Sequence, residues 1–128
     1  MRETIIIILI LIIIIVGAIV IQNYLNKTAD LVVGKLNKLK ENMKKEEIVQ
    51  EDIKKEVEDV YSSWESVNEK WSTIVLHDEI DLIETSLVKM KSGIESGDYD
   101  DSIRELDTSI FLLNHIKEKE KLCLKNIF

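Results

Sequence analysis

From Ile5 to Ile21 the chain runs through 17 residues with no charge and no side-chain hydrogen-bonding group. As a helix, at about 1.5 Å per residue, such a run spans roughly 25 Å, just short of a hydrocarbon core of about 30 Å. Extension through Tyr24 and Leu25 closes the gap and puts a tyrosine where a bilayer meets water. A cleaved export signal has a shorter apolar run, of about 7–15 residues, and small residues at its cleavage point. Here the one small pair, Gly17-Ala18, is followed by Ile19, Val20 and Ile21, so residues 1–25 are expected to be an anchor that stays. No face of the segment is polar, which argues against the core helix of a soluble protein.

Beyond this head, apolar residues recur at spacings of three and four, the mark of a single helical face. The first stripe is Leu25, Ala29, Val32, Leu36, Leu39, Met43, and the second is Ile53, Val57, Val60, Trp64, Val67, Trp71, Ile74. The third is Leu76, Ile80, Ile83, Leu87, Met90, Ile94, and the fourth is Tyr99, Ile103, Leu106, Ile110, Leu113, running on to Ile116. Each stripe is narrow and heptad-like, so each helix needs a helical partner and not a sheet.

The second and third stripes are out of phase, because continuing from Ile74 lands on Asp78 and Asp81. A helix end near residues 75–78 is expected, with Asp78 as the N-cap of the next helix. Gly97-Asp98 marks a further boundary, glycine suiting a helix C-terminus and aspartate an N-cap. The charged run Lys44–Glu47 marks a weaker turn. The predicted fold is all-α: a transmembrane helix continuing into an antiparallel bundle of three to four helices over 26–128. Its helices lie at about 26–45, 48–75, 78–96 and 98–124. A lone hairpin of the last two helices beside a longer coiled helix, or a coiled-coil homo-oligomer, would satisfy the same pattern.

Composition adds to this picture in two ways. The chain has no proline, and its net charge of −7 is unevenly spread. Residues 27–45 carry six lysines against Asp30 and Glu41, residues 46–107 carry 19 acids against six bases, and residues 108–128 carry four lysines against two glutamates. An up-down bundle would bring both basic stretches towards headgroups and point the acidic turn at Asp98, Asp100 and Asp101 away. The acidic middle argues against a nucleic-acid partner, which needs a basic footprint.

Few side chains suggest chemistry. Trp64 and Trp71 lie seven apart on one face, as core anchors or, if exposed, as a grip on a partner. His77, Asp81 and Glu84 share a helix face, and an antiparallel hairpin turning at 97–98 would bring His115 and Glu118 to the same end. These are ligand types for a transition metal, but the Glu-x-x-His motif of di-iron bundles is missing: Ile74 and Leu112 occupy the glutamate positions. A solvated surface and helix-end role is the plainer reading, and no metal or other cofactor is expected. Cys123 is alone, and no phosphate-binding glycine loop or nucleophile constellation is present, so an enzyme is not expected. The apolar tail from Leu122 to Phe128 either packs back on the bundle or lets Ile127 and Phe128 dip into a bilayer or a partner.

Trp64-x6-Trp71, LHDEID at 76–81, the hairpin around GDYDDSI at 97–103 and the terminal Asn126-Ile127-Phe128 together resemble a bacterial family. It is the one known as domain of unknown function 4363, found mainly in Clostridia and their relatives. The resemblance covers the whole chain and implies a small, single-span helical protein with no assigned activity. It also implies that Trp64, Trp71, His77 and the C-terminal tail belong to one recurrent pattern.

The function expected on these grounds is a membrane-tethered helical interaction module, an accessory subunit of a membrane complex. Its partners would be the bilayer and a membrane protein or a second copy of the chain. A sensor-like bundle binding a ligand or metal is the alternative. The short tail before the apolar run is the start of many exported, anchored proteins, and the acidic domain is compatible with export, so the bundle is expected on the outer face of the cell membrane. Counting Lys27, Lys35, Lys38 and Lys40 against Arg2, the positive-inside rule places it in the cytoplasm.

Overall fold

The computed structural model describes residues 1–127, except for the side chains of Cys123, Leu124 and Ile127. Four helices follow one another: α1 over Arg2–Met43, α2 over Gln50–Trp71, α3 over His77–Ser96 and α4 over Tyr99–Ile127. The described residues contain no strand. α1 crosses from the apolar head into the bundle without a break, so the head and the first bundle helix are one rod. The head is long and apolar enough to cross a membrane, and none of its most apolar stretch is buried against the protein.

The bundle is antiparallel, and three exposed ion pairs mark its register. Lys35 meets Asp59 across α1 and α2, at 2.9 Å; Lys40 meets Asp107 and Lys117 meets Asp30 across α1 and α4, each at 2.7 Å. α1 packs on α2 and α4, α3 packs mainly on α4, and α2 meets α3 least. The first stripe is buried in full, and the second from Ile53 to Trp71. Burial of these large side chains, at about 25 cal/mol per Å² of apolar surface, is the main force holding the helices together.

The turns follow local chemistry. After Trp71 the run Ser72-Thr73-Ile74-Val75 leaves the helix, and the Ser72 and Thr73 hydroxyls donate to the Glu69 and Lys70 carbonyls at 2.7 and 2.8 Å. These bonds satisfy carbonyls that a helix end leaves open, and β-branched residues gain little from continuing the helix. α3 then starts one residue earlier than the sequence suggests. Leu76 is its N-cap, with no side-chain cap bond, and Asp78 falls inside the first turn. There its charge still suits the positive end of the helix dipole. Gly97 adopts a left-handed conformation (φ 79°) and Asp98 N–H returns to the Gly93 carbonyl, a Schellman closure. Asp98 Oδ1 accepts from Asp101 N–H at 3.1 Å and so caps α4.

One expectation about charge is corrected. Apart from Lys27, the lysines of 27–45 do not gather at the apolar head, because α1 carries them away from it. Lys35 and Lys40 lie about 21 and 28 Å beyond Ile21 along the helix axis, where they pair with acids of α2 and α4. A charge summed along the chain ignores the rise of the helix.

Candidate functional site

Trp64 and Trp71 are 1% and 0% exposed, with rings 6.0 Å apart, edge to face. They are core anchors and offer no surface to a partner, so the reading of an exposed grip is set aside. Each indole N–H is satisfied within the core. Trp64 Nε1 donates to Glu84 Oε1 at 2.8 Å, and Trp71 Nε1 donates to Thr28 Oγ1 at 2.9 Å. Ile127 and Phe128, the other two interaction candidates, have side chains that lie outside the described residues.

The metal candidates are not brought together. Glu84 is held by Trp64 and by Asn68 Nδ2, at 2.9 Å, on the same oxygen. His115 is exposed and stacks on Phe111 with ring centroids 6.0 Å apart. His77, Asp81 and Glu118 are exposed. Among the described residues, no three His, Cys, Asp or Glu side chains gather as a metal site would require.

What the helices do build is a cleft. Trp64, Asn68 and Glu84 clip α2 to α3 near the middle of the two helices. From that clip towards the end distant from the apolar head the two helices stand apart, and a cleft of about 710 Å³ opens between them. Ile53, Val57, Tyr61, Ile94 and Tyr99 supply its apolar wall, and Lys54, Glu58, Glu65, Lys91 and Glu95 its rim. Tyr61 is the most unusual of these residues. Its hydroxyl oxygen is buried without a hydrogen-bond partner, and Lys91 Nζ stands 5.2 Å from its ring centroid. Burial first, then the negative charges of Glu84 and Glu95, pushes that hydroxyl up to about 12. A buried polar group without a partner is unfavourable by a few kcal/mol at most and is uncommon in a native protein.

The level of the cleft follows from the register. Lys35 and Asp59 are paired, and Lys35 stands about 21 Å past Ile21 along α1. The cleft therefore opens well clear of the head. Sequence periodicity did not single out Tyr61, Lys91 or Glu95, although Tyr61 lies beside the second stripe and Glu95 beside the third.

A family model described as domain of unknown function (DUF4363) matches residues 19–127. The chain belongs to this family. The match takes in the end of the apolar head and nearly all of the four-helix bundle, so the DUF4363 unit includes the cleft and the whole of α4 that is described. A search of curated proteins and a search of solved structures each found no match.

Proposed function

We propose that this DUF4363 protein is a membrane-tethered helical interaction module, an accessory subunit of a membrane complex that holds a helix of its partner in the α2–α3 cleft. The observation that carries this reading is the cleft itself. It is an unfilled helix-helix seam with an apolar wall along α2 from Gln50 to Glu65, on a bundle joined rigidly to an apolar head. Above the buried Ile53 and Val57, the half-buried Tyr61, Ile94 and Tyr99 leave apolar surface in the cleft, the complement of an amphipathic helix laid in a groove. Three carboxylates face two lysines on the rim, within a segment of strong net negative charge, so the partner helix carries cationic flanks.

The test is photocrosslinking in native membranes. A photoreactive residue at Glu65 or Ser96, on the rim, should give an adduct larger than the monomer, and one at Thr108 should not. The rim adduct should vanish when Ile94→Glu puts a charge on the apolar wall. Adducts at monomer size only would sink the reading, and an adduct of twice the monomer mass would make the partner a second copy.

One observation favours a second reading. The unpaired Tyr61 hydroxyl and the Lys91 ammonium point to a small ligand with an acceptor group, and the volume lies in the range of ligand pockets, roughly 300–1,000 Å³. A metabolite that raises the melting temperature of the wild type but not of Tyr61→Phe would establish it. For sidedness we favour the outer face of the cell membrane, with which the acidic middle of the chain is compatible. An impermeant maleimide should label Asp98→Cys in a Cys123→Ser background in intact cells, and labelling only after lysis would place the bundle in the cytoplasm.

A further inference from the structure

α4 outlasts α2 and α3 at the end of the bundle next to the apolar head. The Lys117–Asp30 pair sets α4 level with α1 at that point, and α4 then runs on to Ile127. That stretch covers about 15 Å, the distance α1 covers between Asp30 and Val20. α2 ends at Trp71, level with Thr28, and the first turn of α3 is tied to α4 by Glu79 and Lys119 at 2.8 Å. Among the described residues, only α1 and α4 continue as helices below this level, and the end of α4 comes level with the last apolar residues of the head.

Charge on this two-helix stem is mostly positive, with Lys27, Lys121 and Lys125 against Glu120. Residues 21–26 of α1 carry no charge, and from residue 121 onward the charged side chains of α4 are Lys121 and Lys125. Both are exposed, and among the described residues no carboxylate forms an ion pair with either. Between them Leu122 is 56% exposed. A lysine at a bilayer surface lays its methylene stem along apolar surroundings and keeps its ammonium among phosphates, and a neighbouring leucine reaches the acyl boundary.

We propose that the turns of α4 from Lys121 to Lys125 seat on the anionic headgroups of the bilayer that holds the apolar head, with Leu122 at the acyl boundary. The proposal rests on α1 spanning that bilayer. Its consequence is a second point of attachment. One helix can pivot about its exit from a membrane, whereas two neighbouring contacts hold the bundle at a set tilt and present the cleft at a set height.

The experiment uses the full chain in vesicles of phosphatidylcholine and phosphatidylglycerol, in a Cys123→Ser background. Nitroxide labels are attached singly at Ile13→Cys, Leu122→Cys and Phe111→Cys; Phe111 is 66% exposed and stands roughly 16 Å further up α4. Collision with oxygen, relative to a water-soluble nickel chelate, reports depth. The Ile13 label should read as hydrocarbon, the Phe111 label as water, and the Leu122 label several-fold more oxygen-accessible than Phe111. Lys121→Gln with Lys125→Gln, or omission of phosphatidylglycerol, should return the Leu122 label towards the Phe111 value. A Leu122 label as wet as Phe111, with Ile13 in hydrocarbon, would overturn the seating and leave the span intact. A Leu122 label immersed regardless of the lysines and of phosphatidylglycerol would overturn the headgroup contact. A wet Ile13 label would overturn the span and this proposal with it.

Discussion

The Trp71 indole nitrogen lies 2.9 Å from the Thr28 hydroxyl oxygen, across 43 positions of chain. The hydroxyl in turn donates to the Tyr24 carbonyl at 2.7 Å. One side chain thus accepts from the last residue of α2 and closes on the backbone of α1, at the level where the bundle meets the apolar head. Thr28→Val keeps the shape and removes the acceptor, leaving a buried N–H unpaired. The expected loss is about 1–3 kcal/mol. Thr28→Ser keeps the bond and should lose less than about 1 kcal/mol. Denaturant unfolding of the full chain in detergent, followed by tryptophan fluorescence, would measure both, since both tryptophans lie in the core.

A second indole depends on a carboxylate. Glu84 Oε1 accepts from Trp64 Nε1 and from Asn68 Nδ2, and so joins α2 to α3 below the cleft. Glu84→Gln retains an oxygen for both donors and is expected to be within about 1 kcal/mol of the wild type. Glu84→Ala strands a buried indole N–H and should lose about 1–3 kcal/mol. Equal losses in the two variants, in the same unfolding assay, would show that the bonds contribute nothing.

The helical stripes were legible because burial follows period. Leu25 to Met43 and Ile53 to Trp71 are buried in the pattern their spacing dictates. α4 was only half legible. Its most buried positions include Ser102 and Ser109, which an apolar count passes over, whereas Ile103 and Ile110 lie on the flank. Each serine hydroxyl is satisfied by a backbone carbonyl four residues back, Asp98 or Glu105, so small size and not polarity decides the position. The cleft was not legible at all. Periodicity says which face of a helix is buried but not how far two neighbouring helices splay, and here that depends on where the Glu84 clip falls.

Gly93 has a packing reason to be glycine. A Cβ built there would collide with Ser102 Oγ and lie 3.2 Å from the Asp98 carbonyl oxygen. Ser102 is fully buried, with Oγ 3.0 Å from both the Met90 and Asp98 carbonyl oxygens, so it has little room to move. Gly93→Ala is therefore expected to destabilise by about 1–3 kcal/mol despite the higher helix propensity of alanine. Adding Ser102→Ala removes the colliding oxygen and should recover part of the loss. Strict additivity of the two changes would argue against a direct collision.

Tyr61 gives a prediction at alkaline pH. Its hydroxyl is raised from an ordinary 10.0 to about 12 by burial and by the charges of Glu84 and Glu95. The folded state thus holds this proton more tightly than the unfolded chain does. The associated stability is fully present below pH 10 and is lost as pH rises from about 10 through about 12. Other groups titrate in the same window, so the informative quantity is the difference between the wild type and Tyr61→Phe. At neutral pH the phenylalanine variant should match or slightly exceed the wild type, because it removes a buried hydroxyl oxygen that has no partner. Above pH 10 the stability difference should grow in its favour. Parallel stability curves for the two proteins from pH 8 to pH 12 would mean that the phenol ionises as it does in the unfolded chain, and that the cleft wall is open to water at this position.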